Sequence, residues 1–169
     1  MASRARVRCA WGKFRNLRLS TVREASLRVK GKIYRACVQR VLVYGSETWP
    51  MKVDDNAKWM IMIMQSLVRT ENNMVRWMSG VTLKDKRSSA ELRSRLGIVG
   101  VDRVVSRGRL RLFGHVERKE ADDWVSKCRN LEVVGGARKQ RGRKTWMECV
   151  KKDMKEGGLK KEDAQNRPL

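Results

Sequence analysis

Apolar side chains recur at intervals of three and four along most of the chain, the spacing of one face of a helix. Within STVREASLRVKGKIYRACVQRVLVYG (20–45) the recurring set is Val22, Ala25, Val29, Ile33, Ala36, Cys37, Val41 and Tyr44. Thr21 and Glu24 have capping-box spacing and Gly45 offers a stop, so the pattern predicts one long helix with a single buried stripe. Gly31 is its weak point. GSETWP (45–50) predicts a turn, because Pro50 biases Trp49 away from helical angles. Asp54 or Asp55 then caps a helix running to Gly80, with Trp59, Met62, Ile63, Val68, Met74, Val75 and Met78 as irregular apolar positions. The polar RTENN inside it marks a kink.

Ser88 and Glu91 form a second capping-box pattern and Gly97 a stop, which predicts a short helix over 88–97. RGRLRLFGHVER (107–118) admits two periods. Arginine alternates with leucine as on a strand, but only over 107–112, whereas the helical period holds from 101 to 118. At about 100° per residue, Val101, Val104, Val105, Gly108, Leu112 and Val116 share one side. Arg103, Arg107, Arg111 and Arg118 fall in a narrow arc well away from it, which makes a helix with an arginine stripe. His115 lies in the apolar arc and is expected to be a packed, hydrogen-bonded core residue. Asp122 or Asp123 caps a short helix, DWVSKCRNL. A final amphipathic helix puts Trp146, Cys149, Val150 and Met154 on one side, stops at Gly157 and leaves KKEDAQNRPL as a frayed tail. Trp11, Trp59, Trp77 and Trp146 have helical spacing with Met and Val, which predicts core packing over base stacking.

Charge changes the picture. The 169 residues hold 40 Lys and Arg against 18 Asp and Glu, a net charge of +22. Such an excess repels itself in a folded chain, so an anionic partner, nucleic acid above all, is expected. The densest basic run, EVVGGARKQRGRK (132–144), is glycine-loosened and carries Arg138, Lys139, Arg141, Arg143 and Lys144. The scattered cysteines Cys9, Cys37, Cys128 and Cys149 lack metal-pair spacing, and one histidine completes no zinc set. No secretion signal is read at the N-terminus, and WMIMIM (59–64) is far too short to span a bilayer. The expected setting is intracellular, nuclear included, with no membrane partner and no cofactor.

Catalytic chemistry finds no purchase. KVDD (52–55) and EADD (120–123) pair carboxylates as two-metal sites do, but helix N-capping explains both. No Gly-x-Ser-x-Gly elbow accompanies the lone histidine, and GGARKQRGRKT lacks phosphate-loop spacing.

Several phrases together resemble one family: AWGKFRNL, LRVKGKIYRACVQRVLVYGSETW, NNMVRWMSGVTLKDKRSSAELRSRLGI, RGRLRLFGHVERK and GRKTWMECVKKDMKEGGL. From about Arg8 to Leu159 the chain resembles the carboxy-terminal part of LINE-type (non-LTR) retrotransposon reverse transcriptases. Tyr44–Trp49 (YGSETW) and Gly114-His115-Val116 carry the resemblance most specifically. It implies a helical thumb with a connector and basic tail, gripping a template–primer duplex beside a separate palm. Palm, fingers and endonuclease have no counterpart in this sequence, so no catalytic residue carries over. RGRKTW is shorter than the family's usual basic run and lacks its proline.

These readings predict an all-α protein, an irregular helical bundle with a basic connector and a C-terminal helix. Its segments are a thumb-like unit (1–80), a connector unit with the arginine-striped helix (81–131), a basic loop (132–144) and a C-terminal helix and tail (145–169). The expected function is non-catalytic binding of RNA, DNA or their hybrid through phosphates. Arg103, Arg107, Arg111 and Arg118 form a rail, and Arg138, Lys139, Arg141, Arg143 and Lys144 a clamp. The alternatives are a protein-interaction or self-association fragment working through apolar helix faces such as WMIMIM, and a remnant of a decayed element.

Overall fold

The computed structural model describes residues 2–18, 25–48, 55–120, 122–130 and 146–165. These are all-α, with no strand among the described residues. The helices are α1 (Ala2–Asn16), α2 (Leu27–Ile33), α3 (Arg40–Val43), α4 (Asp55–Ser79), α5 (Ser89–Leu96), α6 (Val101–Glu117), α7 (Trp124–Asn130) and α8 (Trp146–Gly157). A π-helical turn, Tyr34–Gln39, joins α2 to α3 without a break. Contacts gather the chain into two compact units, Met1–Gly45 with Ile61–Val105 and Ser46–Met60 with Ser106–Leu169. Their limits fall inside α4 and α6, a different division from the segments ending at 80, 131 and 144.

In the first unit α1 packs on the π-turn and α3, and α2 packs on α5. Ser26 opens α2 with non-helical angles, its hydroxyl accepting from Val29 N. The helix therefore starts later than the Thr21 pattern predicts; Thr21, Val22 and Glu24 themselves lie outside the described residues. The expected stripe is also displaced. Val29 is 45% and Tyr44 77% exposed, while Tyr34, Val38 and Leu42 are fully buried. The π-turn inserts an extra residue, so Val38 and Gln39 both point inward. Each large apolar side chain sealed this way contributes about 1.5–3 kcal/mol. Gly31 is a close-packing site: a Cβ there would collide with the Leu96 carbonyl of α5.

α4 runs unbroken through RTENN, where the pattern predicted a kink. Thr70 and Glu71 instead lie in its buried face with Ile63, Leu67, Met74, Val75 and Met78. Glu71 is satisfied on both oxygens. Gln39 Nε2 donates to Oε1 at 3.0 Å, and Val101 N at the first turn of α6 donates to Oε2 at 2.9 Å. Burial raises the Glu71 pKa, opposed by those two bonds and by the Arg93 charge. Arg93 Nη1 stands 4.0 Å from Oε2 and donates to Asn72 Oδ1 at 2.8 Å. At α5 the Ser88 hydroxyl accepts from Glu91 N at 3.1 Å, and Gly97 ends the helix at φ 67°. The Glu91 carboxylate pairs with Arg87 at 3.1 Å.

In the second unit, α8 buries Cys149, Val150 and Asp153, with Trp146 and Met154 half-buried beside them. The Trp146 ring lies 6.4 Å from Phe113, and its Nε1 donates to the Glu47 carbonyl at 2.8 Å. Asp123 caps α7, its Oδ1 accepting from Val125 N at 2.9 Å. Gly158, one residue beyond the expected stop, takes the left-handed φ of 64° that closes α8. The sequence predicted a frayed tail from Lys160, yet residues through Gln165 are folded. A 3₁₀ turn (Lys161–Ala164) is tied to the end of α6. Arg118 Nη1 donates to Ala164 O at 2.7 Å, and Lys161 Nζ pairs with Glu117 at 3.5 Å. A segment that satisfies carbonyls and carboxylates this way does not fray.

Candidate nucleic-acid interface

α6 carries the site. Along its buried edge runs an i, i+4 row, Val101, Val105, Arg109 and Phe113, each at most 4% exposed. Turning that row inward rotates Arg103, Arg107 and Arg111 to water, and all three are exposed. They stand one turn apart, spanning about 12 Å along the axis. None makes a hydrogen bond or ion pair among the described residues. Over that length one strand of a duplex rises by about three to four phosphates. Arg118, just past the helix end, is also exposed, but one of its donors is committed to Ala164 O.

The same row corrects one sequence expectation and adds a buried residue that the sequence reading missed. His115 is exposed, because the buried face of the helix is turned by about 50°, at 100° per residue, from the face assigned to it. It is no core residue. Arg109, outside the expected rail, is buried and pairs with Asp153 of α8 at 2.8 Å. Ser106 Oγ donates to the other Asp153 oxygen at 2.9 Å, while Arg109 Nε finds no acceptor among the described residues. The signal available in sequence was Asp153 itself, an acid set among Cys149, Val150 and Met154 on the apolar side of the last helix.

The clamp residues Arg138, Lys139, Arg141, Arg143 and Lys144 lie outside the described residues, as do Trp49, Pro50 and Asp54. The carboxylates of EADD are used locally. Asp123 caps α7 and meets Lys119 at 3.0 Å, and Asp122 pairs with Lys127. The Val125 N–H first, then Lys119, hold the Asp123 carboxyl below its ordinary pKa. Among the described residues no three His, Cys, Asp or Glu side chains gather as a metal would require. The four cysteines form no disulfide.

The tryptophans divide. Trp146 is packed as expected, and Trp11 meets Phe14 at 5.6 Å and Trp77 at 5.9 Å. Trp77 itself is 58% exposed, against the core role its spacing predicted. No described helix is long and apolar enough to cross a membrane. Comparison with protein-family models, curated proteins and solved structures finds no match to this chain.

Chemically, exposed guanidiniums of this kind are able to bind anions. A guanidinium presents five N–H donors in a planar fork that fits phosphate oxygens two at a time, and it stays charged at any physiological pH. Such contacts grip and position a strand without reading its bases.

Proposed function

We propose that the chain binds RNA, DNA or an RNA–DNA duplex through backbone phosphates and catalyses no reaction itself. The observation that carries this reading is the row Arg103, Arg107 and Arg111 on one exposed face of α6, without a partner among the described residues, in a chain of net charge +22. Arg118 extends the row, and the basic run 138–144 supplies a clamp. The resemblance to the thumb and connector of LINE-type reverse transcriptases supports the same reading, since that region grips a template–primer duplex. An intracellular setting, the nucleus included, follows from such a partner. Titrating salt against binding to matched RNA, DNA and hybrid duplexes tests it. With about six phosphates engaged, affinity falls by roughly 10³ between 50 and 200 mM salt. Binding that ignores salt contradicts the reading.

A second reading, self-association or capture of a protein partner, has its own observation. Met62 in WMIMIM is 63% exposed and Trp77 58% in the first unit, and Trp124 is 77% exposed in the second, so each presents apolar surface that a partner could cover.

A further inference from the structure

Within the second unit, a half-open cavity of about 440 Å³ lies between α6 and the segment that follows α8. That volume is in the range of small-molecule sites, about 300–1,000 Å³. Leu110, Met154 and Leu159 give it an apolar wall, and Arg111, Arg118 and Lys160 border it with cations. Asp163 is the one acid among its lining residues, and its Oδ2 already accepts from Lys160 N at 2.7 Å. The charge balance therefore favours an anion.

Two features set the cations in place. Arg118 is anchored through Nη1 to Ala164 O at 2.7 Å, which leaves its other donors for a ligand. It passes over Gly114, where a Cβ would come within 3.0 Å of Nη1, so the bare glycine makes room for the guanidinium. Arg111, one of the row described above, has no partner among the described residues. An anchored guanidinium loses less side-chain freedom on binding than a loose one.

A paired duplex offers phosphates but nothing to enter a recess. An unpaired nucleotide offers both, a phosphate and a base whose faces prefer an apolar wall to water. We propose that this cavity receives one unpaired nucleotide of a bound strand. Its phosphate meets Arg111, Arg118 and Lys160, and its base lies against Leu110, Met154 and Leu159. This rests on the phosphate-binding reading above.

The test compares binding of the full chain to a blunt RNA–DNA hybrid and to the same hybrid carrying one extrahelical adenosine, at fixed salt. The bulged hybrid is expected to bind about tenfold more tightly. The bulged-to-blunt ratio is expected to fall to about one in Leu159→Trp, which fills the recess, and several-fold in Lys160→Gln, whose side chain is exposed. Circular dichroism shows that both variants fold. Equal affinity of the parent chain for the two hybrids, or a ratio that both variants retain, overturns the proposal and leaves phosphate binding standing. Binding of neither hybrid overturns both.

Discussion

The Asp153 carboxylate stands 2.8 Å from the Arg109 guanidinium, and both side chains are only 4% exposed. Removing one member of such a pair strands the other charge in a dry interior. Asp153→Ala is therefore expected to cost about 3–5 kcal/mol in chemical denaturation. Arg109→Met with Asp153→Leu is expected to recover most of that loss, since apolar residues of similar volume replace both desolvated charges. A double variant as unstable as the single one would mean that the pair itself, and not the isolated charge, sets the stability.

Glu71 gives a pH signature. Burial raises its folded-state pKa above the ordinary 4.5, so the folded chain holds this proton more tightly than the unfolded one. The contribution is full below pH 4.5 and is lost as pH climbs through the raised value. Glu71→Gln does not titrate. The stability of the parent chain minus that of Glu71→Gln is thus expected to fall as pH rises from below 4.5 towards neutrality, read from denaturation curves at several pH values. A constant difference would place the Glu71 pKa at its ordinary value.

Gly31 offers a test of sign. In an ordinary helix interior, Gly→Ala stabilises by roughly 0.5–1 kcal/mol. At this position the new Cβ meets the Leu96 carbonyl. Gly31→Ala is expected to lower stability by about 1–3 kcal/mol, since α2 and α5 must separate. A thermal melt that rises contradicts the close approach.

The exposed apolar residues separate the two functional readings. On a sizing column run at high salt, oligomers bridged by nucleic acid are expected to disappear, because counterions compete for the phosphates. Species that persist at high salt and vanish in Met62→Gln or Trp77→Gln indicate apolar association instead.

What was legible from sequence was mostly local. Ser88, Gly97 and Asp123 mark helix ends because capping needs only a hydroxyl, a carboxylate or a bare Cα at one spot. The all-α class follows from apolar spacing and from only two prolines in the chain. The registers of the buried faces were less legible. Arg109 sits in the buried row of α6, where hydropathy assigns an arginine to water, and only Asp153 on another helix makes that burial tolerable. An apolar face drawn without Arg109 rotates the helix and turns His115 inward. Between α2 and α3, the π-turn breaks the three-and-four spacing that assigned Tyr44 to the core, and α2 itself already buries Lys30 and Gly31 in place of Val29. In α4, Glu71 looked like part of a polar interruption because its partners, Gln39 and Val101, are 32 and 30 residues away. The arginine row was legible because exposure needs no partner. Arg103, Arg107 and Arg111 repeat every four residues, and nothing in the described fold claims them.

The most direct test of phosphate binding is the slope of log affinity against log salt for an RNA–DNA hybrid, measured for the parent chain and for Arg103→Gln/Arg107→Gln/Arg111→Gln. These side chains are exposed and unpartnered, so the variant is expected to fold as the parent does. The expected result is weaker binding with a slope shallower by about two to three, close to one unit for each phosphate no longer neutralised. An unchanged slope and affinity would show that α6 does not hold the strand.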